Sequence, residues 1–91
     1  MKIRTRVIIK GLVQGVNFRY YTMGKAIQHN VTGWVKNLLN GDLEGCFEGE
    51  ERDVNALVEW CRIGPPRALV DEVVLKPENH AGEFAEFRIR G

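Results

Sequence analysis

The centre of this chain is residues 31–48, which read VTGWVKNLLNGDLEGCFE. Both ends of the run are rich in residues that favour β-strands, and the Asn40-Gly41 pair between them is the strongest short hairpin signal in the sequence. After that pair, apolar and polar residues alternate, which is typical of a strand with one buried and one solvated face. The run therefore predicts two hairpin strands, residues 31–38 and 42–48. The residues expected on the solvated face of the second strand are Asp42, Glu44, Cys46 and Glu48.

Strands and helices are also predicted on both sides of this hairpin. Before it, residues 3–10 favour a strand and residues 18–30 a helix with a left-handed end at Asn30. After it, residues 51–63 favour a helix that ends at Gly64-Pro65-Pro66. Two further strands are predicted at residues 69–76 and 84–90. The expected buried stripes are Phe18, Tyr20, Met23, Ala26 and Ile27 on the first helix, and Val54, Leu57, Val58 and Cys61 on the second.

The order of these elements is βαββαβ followed by a terminal strand. This order predicts the α+β class and a ferredoxin-like split βαβ sandwich, in which an antiparallel sheet carries two helices on one face. A chain of 91 residues is expected to form a single domain, residues 1–91.

Composition and charge exclude several function classes. With 44% hydrophobic and 27% charged residues, the chain has the composition of a globular protein. Its formal net charge of +1 argues against a general nucleic-acid or membrane-surface binder, although a local positive pocket for a small anion stays possible. No apolar run is long enough to span a bilayer, and no signal peptide is evident, so a cytoplasmic location is expected.

The cysteines and histidines do not indicate a disulfide scaffold or a metal site. Cys46 and Cys61 are too few for a disulfide framework, and no C-x-x-C or H-x3-H spacing accompanies them. Because the predicted sheet separates the two thiols, we expect no bridge between them, and we expect Cys46 to be the more accessible. The sequence predicts neither a metal nor a cofactor.

The start of the first predicted helix breaks a local rule. A helix N-terminus carries a partial positive charge and favours acidic residues, yet this helix opens with Phe18 and Arg19 and contains no acid. The preceding loop supplies Gly15 and Asn17, which tolerate left-handed φ, so its N–H groups could converge on an anion. The simpler alternative is that Arg19 is solvated and the glycines only turn the chain.

Two longer motifs point to a family. Residues 11–19, GLVQGVNFR, resemble the acylphosphatase signature G-x-V-Q-G-V-x-F-R. Residues 33–37, GWVKN, followed by Gly41 and Gly49, resemble the second signature of the same family. The resemblance covers essentially the whole chain, and it implies an enzyme that hydrolyses acyl phosphates to a carboxylate and inorganic phosphate.

The resemblance also implies a role for particular residues. Arg19 matches the arginine that binds the phosphoryl group, and Asn37 matches the asparagine that orients the attacking water. The matching phosphate loop, whose main-chain N–H groups hold the phosphoryl oxygens, is Gln14, Gly15, Val16, Asn17 and Phe18. Without the resemblance, the favoured interpretation is that Asn37 only begins the hairpin turn next to it. The implied partners are a small-molecule acyl phosphate and inorganic phosphate, the latter as product and competitive inhibitor, and we expect a monomer.

The chemistry missing from the sequence agrees with this substrate. No carboxylate pair, Ser-His-Asp set or cysteine nucleophile is evident. A site without a general acid can expel only a good leaving group, and a carboxylate, with a pKa of about 4, leaves without being protonated. Two rival interpretations are an RNA-binding module, which needs aromatic residues on the solvated sheet face, and a ligand-sensing module without catalysis. Whether the natural substrate is a metabolite or a modified protein stays open.

Overall fold

One five-stranded sheet forms the centre of the computed structural model, which describes residues 1–91. Its strands lie in the order β4-β1-β3-β2-β5. The strands are β1 (Lys2–Leu12), β2 (Thr32–Asn37), β3 (Leu43–Glu50), β4 (Leu69–Glu78) and β5 (Phe87–Arg90). Three of the four pairings are antiparallel, but β5 pairs parallel with β2. The predicted antiparallel pairing holds for β1 to β4, and the terminal strand β5, whose pairing the sequence left open, makes the sheet mixed because the chain crosses from the β4 edge to the opposite edge before β5 begins.

Two helices, α1 (Phe18–Gln28) and α2 (Glu51–Cys61), cover one face of the sheet, as predicted. Helix α1 packs against β2 and β5, and α2 packs against β1 and β3. The predicted buried stripe of α2 is confirmed. After α1, Asn30 adopts the predicted left-handed conformation, with φ of 58°. Neither helix has the length and apolar character needed to cross a bilayer.

The predicted buried stripe of α1 is wrong in part. Phe18, Thr22 and Ala26 are the buried residues of this helix, whereas Tyr20 and Ile27 are each 62% exposed. Residues four apart share a helix face, so the position of Phe18 against the core determines the stripe. Thr22 can be buried because its hydroxyl donates a hydrogen bond to the Phe18 carbonyl oxygen at 2.8 Å.

Phe18 fixes where α1 begins. Its ring is 2% exposed and lies edge-on to Trp60 of α2, with 5.5 Å between the ring centroids. Gly64 lies directly against the same ring, and a Cβ atom at that position would come within 2.7 Å of it. The beginning of α1 is thus held between α2 and the turn that follows α2.

The sheet face away from the helices is covered as well, which the sequence did not predict. Glu48, expected on a solvated face, is 2% exposed. Its Oε2 atom accepts hydrogen bonds from the main-chain N–H groups of Ala81 at 2.9 Å and Gly82 at 3.3 Å. Arg4 lies opposite Glu48, 3.7 Å from the same oxygen, and also pairs with Glu78 and Glu83. These contacts therefore hold the segment before β5, residues 81–83, against this face of the sheet.

Cys46 is buried in the same face. It lies between Arg6 of β1 and Trp34 of β2 in the strand register and is 0% exposed. The guanidinium carbon of Arg90 lies 4.8 Å from the centroid of the Trp34 ring, and Arg6 and Lys36 lie near the same ring. Burial raises the pKa of the Cys46 thiol, although Arg4 and Arg6 act in the opposite direction. The expectation of an accessible Cys46 is wrong, because charged side chains cover the strand that was predicted to face water.

Candidate active site

The loop between β1 and α1 has the backbone conformation that its sequence predicts. Gly15 has φ of 75° and Asn17 has φ of 63°, so both residues lie in the left-handed region that few other residues adopt. Val13 and Val16 alternate with them and are buried in the core. Because the two valine side chains anchor the loop in the core, its polar backbone lies at the surface at the start of α1.

Several main-chain N–H groups without partners lie close together in this loop and at the start of α1. Asn17 is the N-cap residue of α1, but its side chain makes no capping hydrogen bond, and the first turn contains no acidic residue. None of the main-chain hydrogen bonds of the turns and loops is donated by residues 14–17. The first N–H groups of a helix also have no partner within the helix. The loop and the helix start therefore present a run of donors at a positive helix end, which suits a tetrahedral anion.

Arg19 is half-buried, and it reaches the end of the neighbouring strand. Its Nη1 atom donates to the main-chain oxygen of Gly91 at 3.4 Å. In the parallel pairing of β2 and β5, Lys36 lies beside Arg90, the residue before Gly91. Arg19 therefore lies at the end of the sheet where Asn37 ends β2.

Asn37 is the last residue of β2, is half-buried, and lies opposite Leu43 of β3. The hairpin turn depends on Asn40 instead, whose Oδ1 atom accepts a hydrogen bond from the Asp42 N–H at 3.0 Å. The Asn37 side chain makes no hydrogen bond within the chain, while its neighbour Leu38 closes the hairpin by donating to the Asp42 carbonyl oxygen at 2.8 Å. An amide that is not used by the turn is free to bind water or substrate.

Gln14 has a structural contact that sequence reasoning missed. Its Nε2 atom donates to the carbonyl oxygens of Leu38 at 2.7 Å and Asp42 at 3.0 Å, which joins the loop to the β2–β3 hairpin. Sequence reasoning assigned this residue only a main-chain role. The signal in the sequence that could have indicated this contact is a long amide side chain directly after Val13, a core residue. Beside it, Lys10 pairs with the Asp42 carboxylate at 3.2 Å.

The chain matches a known protein family over nearly its whole length. The family model named Acylphosphatase matches residues 5–89. The chain belongs to the acylphosphatase family. It is 59% identical over 90 residues to an acylphosphatase of Geobacter metallireducens, and the match covers 99% of this chain and 97% of that protein.

Solved acylphosphatases share the whole fold. The acylphosphatase structure from Coxiella burnetii is 38% identical to this chain, with a TM-score of 0.93 and coverage of 98% of this chain and 93% of that one. The acylphosphatase from Bacillus subtilis is 31% identical, with a TM-score of 0.94 and coverage of 98% and 99%. The chain is therefore an acylphosphatase, an enzyme that hydrolyses acyl phosphates, and neither an RNA-binding nor a non-catalytic sensing module is favoured.

Proposed function

We propose that this acylphosphatase works by metal-free attack of water on a phosphoryl group held at the start of α1. The observation that carries the proposal is the donor run formed by left-handed Gly15 and Asn17 together with a helix start that lacks acidic residues. Arg19 would bind two phosphoryl oxygens through its planar guanidinium. The main-chain N–H groups proposed to bind the remaining oxygens are those of Gln14, Gly15, Val16, Asn17 and Phe18.

Asn37 is proposed to orient the attacking water. Its amide can accept a hydrogen bond from water through Oδ1 and donate another through Nδ2 without any change of charge. Water attacks phosphorus, the bond between phosphorus and the acyl oxygen breaks, and the carboxylate leaves with the bonding electron pair. The protons of the water stay on inorganic phosphate or pass to solvent, so no general acid is required. Positioning and electrostatic stabilisation of the equatorial oxygens supply the catalysis.

The finer features of the activity are part of the same proposal. Inorganic phosphate is expected to compete with substrate, because the groups that bind the phosphoryl moiety also bind the product. The chain is expected to act as a monomer and as one domain over residues 1–91. The cytoplasmic location inferred from the sequence stays a prediction.

The decisive test is hydrolysis of benzoyl phosphate by the wild type, Arg19→Ala and Asn37→Ala. Arg19→Ala should lower kcat/KM by at least about 10² to 10³, the usual loss for one transition-state donor, and should weaken inhibition by phosphate. Asn37→Ala should lower kcat by a similar factor and leave phosphate inhibition much less affected. Neither EDTA nor added magnesium should change the rate, because the proposed donors all belong to the chain.

Matched controls come from the surface. Arg88→Ala removes a 74%-exposed arginine of β5, and Asn55→Ala removes an exposed asparagine of α2. Both variants should keep wild-type turnover. Near-normal turnover in Arg19→Ala would refute the anion site, equal loss of turnover and phosphate binding in Asn37→Ala would refute its role with water, and inactivation by EDTA would refute the metal-free mechanism.

A further inference from the structure

The Gln14 side chain joins the two parts of the proposed active site. The loop that carries residue 14 leads into the donor run at the start of α1, and the hairpin that it contacts carries Asn37. The amide nitrogen of Gln14 has two N–H bonds, and both are directed at main-chain carbonyl oxygens, those of Leu38 at 2.7 Å and Asp42 at 3.0 Å. Because carbonyl oxygens only accept hydrogen bonds, a neutral amide satisfies both of them with one atom.

Both acceptors belong to the closing pair of the hairpin. The Asp42 carbonyl oxygen already accepts the Leu38 N–H at 2.8 Å, and the Leu38 carbonyl oxygen accepts the Gly41 N–H at 3.2 Å. Each oxygen has a second lone pair, and Gln14 uses it. The contact therefore adds a link between the loop and the hairpin without replacing any hydrogen bond within the hairpin.

Leu38 follows Asn37 directly, and Asp42 precedes Leu43, the partner of Asn37 across the hairpin. A side chain that holds these two peptide units determines how far the end of β2 lies from the phosphate loop. That separation matters for a reaction in which one group holds phosphorus and another holds the attacking water, because a misplacement of about 1 Å can cost about 10²-fold in rate.

We propose that Gln14 is a positioning residue, whose side-chain amide fixes the distance between the phosphate loop and the water-orienting Asn37. This inference rests on the proposed function, since it gives Gln14 an effect only through Asn37. The side chain of Gln14 touches neither substrate nor water in this role, and its main-chain N–H stays in the phosphate loop whatever the side chain is.

The first test is a split between kcat and KM. Gln14→Met keeps the length of the side chain and removes both donors, and it should lower kcat on benzoyl phosphate about 10- to 100-fold. KM and the inhibition constant of phosphate should change by less than about threefold, because the donor run and Arg19 are intact. Gln14→Glu, which turns a carboxylate oxygen toward the two carbonyl oxygens, should lower kcat at least as far.

A matched control separates this contact from general damage to the hairpin. Lys10→Met removes the 3.2 Å ion pair that Lys10 makes with the Asp42 side chain, a second link between β1 and the same hairpin, and leaves both carbonyl contacts in place. We expect Lys10→Met to retain wild-type kcat. An equal loss of kcat in Lys10→Met and Gln14→Met would overturn the proposal, and so would a Gln14 variant that loses the fold.

A double-mutant cycle tells the failure of this inference from that of the proposed function. If Gln14 acts through Asn37, Gln14→Met should change kcat by less than about threefold once Asn37 is alanine. If Asn37→Ala is slow and the two losses multiply, the positioning role is refuted while the proposed function stands. If Asn37→Ala itself retains normal kcat, the proposed function is wrong and the positioning role falls with it.

Amide hydrogen exchange supplies a readout that does not involve turnover. In Gln14→Met, the Leu38 and Gly41 amides that close the hairpin should exchange at least about tenfold faster than in the wild type. The reason is that local opening of the hairpin costs less free energy when there are no Gln14 hydrogen bonds to break. Amides in the middle of β3 should exchange as in the wild type. Unchanged exchange at Leu38 and Gly41 would show that Gln14 does not hold the hairpin, and would overturn the proposal.

Discussion

The burial of Glu48 leads to a strong prediction about stability. Glu48 is 2% exposed, and one of its oxygens accepts the N–H groups of Ala81 at 2.9 Å and Gly82 at 3.3 Å. Replacing Glu48 with alanine removes both hydrogen bonds to its carboxylate and deprives Arg4 of the carboxylate that lies opposite it. The segment before β5 would then be held to this face of the sheet by Arg4, through Glu83 and the neighbouring Phe84 ring.

The size of the effect follows from these contacts. A hydrogen bond to a charged group contributes about 1.5–3 kcal/mol, so the two bonds to the Glu48 carboxylate contribute about 3–6 kcal/mol. Arg4 adds little to this loss, because it retains Glu78 and Glu83 as partners. We therefore expect Glu48→Ala to lower the free energy of unfolding by about 3–5 kcal/mol, which corresponds to a fall in Tm of about 15–30 °C for a domain of this size. Glu48→Gln keeps an oxygen for the two N–H groups and should lose only about 1–2 kcal/mol.

Urea unfolding and thermal unfolding followed by circular dichroism measure both variants. The control is Glu59→Ala, which removes a carboxylate that is 71% exposed and pairs with Arg62 on the surface of α2. Because exposed ion pairs contribute little, this variant should stay within about 1 kcal/mol of the wild type. A loss below about 1 kcal/mol in Glu48→Ala, or equal losses in Glu48→Ala and Glu59→Ala, would refute the view that Glu48 holds the segment before β5.

Two further predictions concern other buried positions. Gly33→Ala should destabilise the fold by about 3 kcal/mol or more in urea unfolding, because φ is 135° and a Cβ atom would lie 1.8 Å from the Cys46 carbonyl oxygen. Gly24→Ala, in open space on α1, should instead stabilise it by about 0.4–1 kcal/mol, and a neutral Gly33→Ala would contradict the backbone assignment. Burial raises the pKa of the Cys61 and Cys46 thiols in the folded chain. Above the unfolded thiol pKa of about 8.5, the unfolded chain therefore loses protons that the folded chain keeps, and stability should fall as pH rises. Unfolding measured from about pH 7.5 to about pH 10, a range that spans the unfolded thiol pKa, should show a shallower fall of stability with pH in Cys61→Ala than in the wild type. Both native thiols should resist thiol reagents until the chain unfolds. An identical pH slope or a reactive native thiol would contradict this account.

Local features of the chain were predictable because their causes are local. The Asn40-Gly41 turn, the left-handed Gly15 and the buried stripe of α2 each depend on residues within one or two turns of chain. The missing acid at the start of α1 is also a local feature, and the sequence alone was enough to suggest an anion site there. The two family signatures lie in these same stretches, so the sequence could indicate both the fold and the hydrolysis of acyl phosphates.

The exposure of side chains was less predictable, because it depends on what covers them. Alternation correctly placed Cys46 and Glu48 on the sheet face away from the helices, but it could not show that this face is covered. The cover of Glu48 comes from Ala81, which is 33 residues further along the chain. In α1, Tyr20 had an apolar ring and a suitable spacing, yet the anchoring of Phe18 against Trp60 turned it outward.

By itself, the sequence determined the order of the elements, the conformation of the loop between β1 and α1 and the identity of the proposed catalytic groups, since φ preference, hydrophobic periodicity and side-chain chemistry are properties of short segments. Only the tertiary structure decided which distant segments those groups contact. The parallel pairing of β5 with β2 brings Gly91 to the guanidinium of Arg19, and the Gln14 amide joins the proposed phosphate loop to the hairpin that carries Asn37. Both contacts join segments 24 or more residues apart, and no local preference of the backbone specifies which distant partner a hydrogen-bonding group will find.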